Sequence, residues 1–159
     1  MSAIRIRRQT FRLLPDVGRV IVRPFIPGNT AHIAAILGRT LALTDDEVDL
    51  ELKLVYTAFD ERHVNLEAKL VENFQRVESH LFTQKPISTA RKLLIGALFS
   101  GEYSLESAAL FNPSIVPHPD QSGMSDGALR FIMSLRATGE GHISSIEFRE
   151  GVLTPTGDI

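Results

Sequence analysis

Residues 108–150, AALFNPSIVPHPDQSGMSDGALRFIMSLRATGEGHISSIEFRE, decide how the rest of the chain is read. An Asn112-Pro113 turn opens a short strand, a polar loop follows, and two further strands are joined by Gly139-Glu140-Gly141. From Arg130 the period is two: Phe131, Met133 and Leu135 point one way, and Arg130, Ile132, Ser134 and Arg136 point the other. Residues 143–148 form a second strand with weaker alternation. A meander of two or three strands has unpaired edges and is at best marginal alone. Something must cover it, either further chain or a partner.

Upstream, the first 27 residues carry extended-chain signals: Val17, Val20, Ile21 and Val22 are β-branched, and Pro15, Pro24 and Pro27 punctuate them. Arg5, Arg7, Arg8 and Arg12 are interleaved with Ile4, Ile6 and Phe11, which reads as a strand with one solvated face rather than a nucleic-acid patch. From Gly28 the period becomes helical. Asn29 or Thr30 can cap a helix that places Ile33, Ile36, Leu37 and Leu41 on one side.

Thr44-Asp45-Asp46-Glu47 is a capping box, and its acidic first turn suits the helix dipole. Downstream, Leu52, Val55, Phe59, Leu66, Leu70, Phe74, Val77 and Leu81 recur at helical spacing, with no Gly or Pro from Thr44 to Lys85. One very long helix, or two with a break at residues 62–65, satisfies that stripe equally. Ser88 can cap the next helix, with Leu93, Leu94, Ala97 and Leu98 on its buried face and a short continuation through Ala108 and Ala109 capped at Ser104. The expected class is therefore α+β. A segment of three to five helices is flanked by short strands, and the chain divides into residues 1–110 and residues 111–159.

Bulk properties exclude several classes. Among 159 residues, 43% are apolar and 23% charged, which suits a globular chain rather than a disordered one. A net charge of −2 gives no electrostatic reason to expect nucleic acid. Without cysteine there is no disulfide, thiolate zinc site or cysteine nucleophile. No apolar run reaches bilayer length and no signal-peptide pattern opens the chain, so the expectation is a soluble cytoplasmic protein without a membrane partner.

Few residues present chemistry by themselves. Read locally, Asn112 is a turn residue satisfying its own backbone and Arg136 a solvated strand-end cation. His142 stands at a hairpin tip, and Glu140, exposed between two glycines, is a poor candidate for a catalytic acid. His118 and Asp120 offer two ligands in a proline-containing loop, fewer than a metal site needs. Glu102 and Glu106 read as a carboxylate pair on one helical face, more simply a surface pair than a catalytic one. His63 reads as a packed, hydrogen-bonded core residue, and His32 and His80 have no evident partners. No cofactor, metal site or catalytic residue is assigned.

The Phe111-Asn112-Pro113-Ser114 segment, the strand ending Ser134-Leu135-Arg136 and the longer run over residues 93–151 resemble glycoside hydrolase family 130, the β-mannoside phosphorylases and related hydrolases. The likeness is to a long subgroup with a helical segment before a five-bladed β-propeller. It implies that the C-terminal strands form a first blade and that Asn112 and Arg136 contact the sugar beside the reacting bond; His142, by its place at the hairpin tip, is a further candidate for lining the same pocket. It implies as partners a β-mannoside or related oligosaccharide and, in the phosphorylases, inorganic phosphate. The family's proton-donating aspartate lies in a Gly-Ile-Glu-Asp type motif in the next blade, and that tetrapeptide does not occur here. The chain is thus expected to be an N-terminal portion, supplying part of a sugar-binding wall and inactive alone. The alternative is a non-enzymatic helical interaction module using the stripe of residues 52–81. Both the stripe and the uncovered meander predict a homo-oligomer.

Overall fold

The computed structural model describes residues 8–159. The fold is α+β, and the described residues separate into two compact units: Val20–Tyr103, and residues 8–19 together with Ser104–Ile159. Sequence placed the division at 110/111; the change of unit falls at 103/104, and the N-terminal segment belongs with the C-terminal strands. The strand expected over residues 4–11 lies largely outside the described residues, and residues 8–11 are not in a strand.

The helical unit contains β1 (Val20–Pro24), α1 (Thr30–Ala42), α2 (Asp45–Phe59), α3 (Leu66–Val77), α4 (Thr89–Leu98) and β2 (Ser100–Ser104), with β1 and β2 paired. The starts of α1, α2 and α4 follow from local side-chain caps, whereas α3 begins at Asn65 without one. Asn29 Oδ1 accepts the Ala31 amide at 2.8 Å. Thr44 Oγ1 accepts the Glu47 amide at 3.3 Å while Glu47 Oε2 accepts the Thr44 amide at 2.7 Å, completing the capping box. Ser88 Oγ accepts the Arg91 amide at 3.3 Å. The C-terminal end of α1 is closed from a distance, where Arg91 donates to the Thr40 and Leu43 carbonyls at 2.6 and 2.9 Å.

The long stripe is two helices. After Phe59 the chain makes a 3-10 turn (Asp60–Arg62) and turns at Asn65, whose φ of 58° is left-handed backbone that asparagine tolerates better than most side chains. The stripe then folds onto α4, which packs against α1, α2 and α3. Leu52, Leu66, Leu70 and Leu93 form one buried cluster. Ile33, Leu37, Phe74, Val77, Ile95 and Phe99 form another. Helices α3 and α4 approach so closely that a Cβ on Gly96 would lie 1.9 Å from the Leu70 carbonyl oxygen. Leu98, expected in the buried face of α4, is 46% exposed, whereas Ile95 is fully buried.

The sheet unit is an antiparallel meander in the order β3 (Ala109–Pro117), β4 (Leu129–Thr138), β5 (Ser144–Leu153). The helical continuation expected through Ala108 and Ala109 is absent: a turn ends at Ala108 and Ala109 opens β3, and Ser104 caps nothing, its hydroxyl donating to the Val17 carbonyl at 3.0 Å. The alternation of β4 holds as read, with Phe131, Met133 and Leu135 buried. Leu13, Leu110 and Leu153 pack on these side chains, so part of the N-terminal segment covers the inner face. The outer face carries Val116, Ile146, Phe148 and Val152, all exposed. In β5 the usual order is inverted. Glu147 points inward and Ile146 and Phe148 outward, which is why its alternation was weak in the sequence.

Candidate functional site

The β3–β4 ladder slips at Asn112-Pro113: Phe111 pairs with Arg136 and Ser114 with Ser134, leaving a bulge between them. Pro113 cannot donate to the ladder and Asn112 has a left-handed φ of 52°, so β3 carries one residue more than β4 here, Asn112 and Pro113 facing the single Leu135. Asn112 is exposed and directly follows the register partner of Arg136.

Arg136 is held on the exposed side of β4. Its Nε and Nη2 donate to Ser144 Oγ at 3.1 and 2.9 Å, and its guanidinium lies 5.1 Å from the centre of the Phe111 ring. One neutral hydroxyl occupies two of its five N–H groups and leaves the charge without a carboxylate partner among the described residues. Such a cation is free to donate to hydroxyls or an oxyanion. His142 is exposed, with φ of 60°, in the 3-10 turn Glu140–His142, two residues before Ser144. Asn112 and Arg136 are thus neighbours across the β3–β4 ladder, and His142 stands in the turn at the same end of β4. Glu140 is exposed in that turn.

The other sequence candidates separate. His118 Nδ1 is within 2.9 Å of the Asp120 amide, and the Asp120 carboxylate accepts from the Ser122 amide at 2.8 Å and pairs with Arg130 at 3.4 Å. The hydrogen bonds from Ser122, first from its side chain and then from its backbone, hold the Asp120 carboxyl below its ordinary value. This is a self-satisfied loop, and no group of three or more metal-ligating side chains occurs among the described residues.

Glu102 and Glu106 are not on a helix and share no face. Glu102 lies in β2, where its Oε1 receives His63 Nε2 at 2.7 Å and Arg62 Nη2 at 3.1 Å. His63 is packed and hydrogen-bonded as expected, although in the break between α2 and α3 rather than on a helix.

Glu106 is the residue that sequence reasoning undervalued. It is fully buried in the sheet unit, its Oε2 accepting the Asp16 amide at 2.9 Å and its Oε1 facing Arg19 Nε at 3.2 Å and Arg149 Nη2. Arg19 also reaches Glu147 at 2.7 Å. Two arginines and two glutamates therefore compensate one another on the inner side of the sheet and tie residues 16–19 to it. The inward Glu147 and Arg149 of β5, set between outward apolar residues, were the available signal.

No protein-family model matches this chain, and neither a curated protein nor a solved structure matches it.

Proposed function

We propose that this chain is the N-terminal part of a glycosidase or glycoside phosphorylase acting on β-mannosides in the cytoplasm. In this reading β3, β4 and β5 belong to the first blade of a propeller, and Asn112, Arg136 and His142 supply part of the sugar-binding wall. The observation that carries it is Arg136: a cation fixed by Ser144 and Phe111 on an exposed strand face, with no carboxylate on it, beside a left-handed asparagine in a bulge. That residue pair stands where the family resemblance expects sugar contacts. Asparagine offers donor and acceptor to vicinal hydroxyls, and arginine offers a planar fork.

Cleavage needs an acid against the glycosidic oxygen and a nucleophile opposite it. Glu140, Glu102 and Glu106 do not provide these: the first is exposed at a turn, and the others are engaged by arginine. The chain binds and does not cleave. Expected partners are a β-mannoside, with phosphate or water as acceptor in the whole protein, and further copies of the chain. The stripe of residues 52–81 is buried inside the helical unit, so it offers no support for a separate helical interaction module.

An assay of the 159 residues on β-mannosides, with and without phosphate, tests the reading. No turnover is expected in either condition. Sustained mannose or mannose-phosphate release by the isolated chain would refute it.

A further inference from the structure

The helical unit contains a pocket unrelated to Arg136. It has a volume of about 140 Å³. Its walls come from β1, α2, α3 and α4, with Val22, Val55, Phe59, Leu66 and Ala97 among them, and its polar end is Glu102 on β2. Apolar cavities of about 150 Å³ hold one six-membered ring.

The polar end is narrowly defined. Ser100 is already engaged, donating to the Gly96 carbonyl at 2.7 Å and accepting from Asn73 at 2.7 Å. Glu102 Oε1 is taken by His63 and Arg62. Glu102 Oε2 accepts from no group among the described residues, so one acceptor remains free. The same two residues fix the aromatic wall: Arg62 lies 5.1 Å from the Phe59 ring centre, and the His63 ring stacks on it at 6.4 Å. A second ring can pack against Phe59 offset or edge-on. An anionic head would meet the carboxylate, and an ammonium would meet the Arg62 charge that already neutralises it.

We infer that this pocket binds a small neutral aromatic alcohol, its ring between the helices and its hydroxyl donating to Glu102. The inference goes beyond the mannoside reading and stands or falls apart from it.

Titration of the whole chain with phenol, toluene and benzoate, followed by amide shifts in ¹H–¹⁵N spectra, tests it. Phenol should perturb Phe59, Leu66, Ala97 and Glu102 and bind roughly tenfold tighter than toluene, the size of one hydrogen bond to a charged acceptor. Benzoate should not bind. Glu102→Ala should bring phenol down to the toluene level, and Ala97→Leu, which fills the space, should abolish both. Equal affinity for phenol and toluene in the unaltered protein would overturn the assigned ligand class. Absence of shifts with any probe, or shifts centred elsewhere, would overturn the site. These outcomes need no variant to fold.

Discussion

The helical and sheet units solve the same burial problem differently. The helical unit turns its apolar stripe inward at Asn65 and closes α2 and α3 over α4, so its two clusters rest on aliphatic and aromatic packing. The sheet unit has one small apolar cluster on its inner face and completes that face with an Arg19–Glu106–Arg149–Glu147 network whose glutamates are buried and whose arginines reach partly into solvent, while Ile146 and Phe148 remain 60% and 63% exposed outside. Strand β5 thus turns carboxylate inward and phenylalanine outward. That is the physical content of the proposal that the meander is one layer of a larger assembly.

Substitutions can break this contrast. Glu106→Ala leaves two arginines facing a cavity and releases the Asp16 amide, so it should cost the sheet unit about 3 kcal/mol. Urea denaturation read at sheet-unit amides, with helical-unit amides as control, checks that. In the helical unit the equivalent weak point is packing, not charge. Gly96→Ala forces α3 and α4 apart at Leu70 and should cost about 2–3 kcal/mol by the same measurement read at α4.

Phe148→Glu removes apolar surface from the open face, and stability should change by about 0.5 kcal/mol or less, as for exposed sites generally. Its effect should be on association. Light scattering should give the unaltered chain a mass above 17.6 kDa and the variant a lower one, whereas Val64→Glu, at an 87% exposed helical-unit site, should leave the mass unchanged. A monomer in every case would remove the self-association from the account.

The smallest expected effects are titrations, one in each unit. Backbone and then side-chain hydrogen bonds from Thr44 hold the Glu47 carboxyl below its ordinary value, as those of Ser122 hold Asp120. A carboxyl depressed in the folded state stabilises above its unfolded pKa, and that contribution is lost as pH falls through the folded value. Both local structures should therefore loosen only on the acid side of the ordinary carboxylate range. Thr44→Val keeps the backbone hydrogen bond and removes the side-chain one, so it should raise Glu47 only part of the way and leave Asp120 unmoved, as side-chain NMR titration would record.

Legibility in the sequence followed the range of the interactions. The caps at Asn29, Thr44 and Ser88 and the alternation of β4 depend on neighbours within a few residues, and all were readable. The choice between one and two helices was not, because Asn65 is compatible with either until α4 supplies the surface on which the stripe folds back. Ala108 and Ala109 suggested helix by propensity, yet the Ala108 amide donates to the Thr138 carbonyl and Ala109 pairs with Thr138, which starts β3 here. Glu106 was least legible, since its amide partner Asp16 lies 90 residues away and no local pattern announces it. Of the candidate site, the adjacency of Asn112 and Arg136 rests on a bulge that the Asn-Pro pair hints at. The hold of Ser144 and Phe111 on Arg136 emerges only with the register.

The most direct measurement is a titration of the chain with methyl β-mannoside, carried to tens of millimolar and followed at the Arg136 Nε–H and backbone amides. The account predicts saturable shifts confined to Asn112, Arg136, His142 and their ladder neighbours, and their loss in Arg136→Ala with the fold intact. Shifts absent at that concentration, or unchanged in the variant, would contradict it.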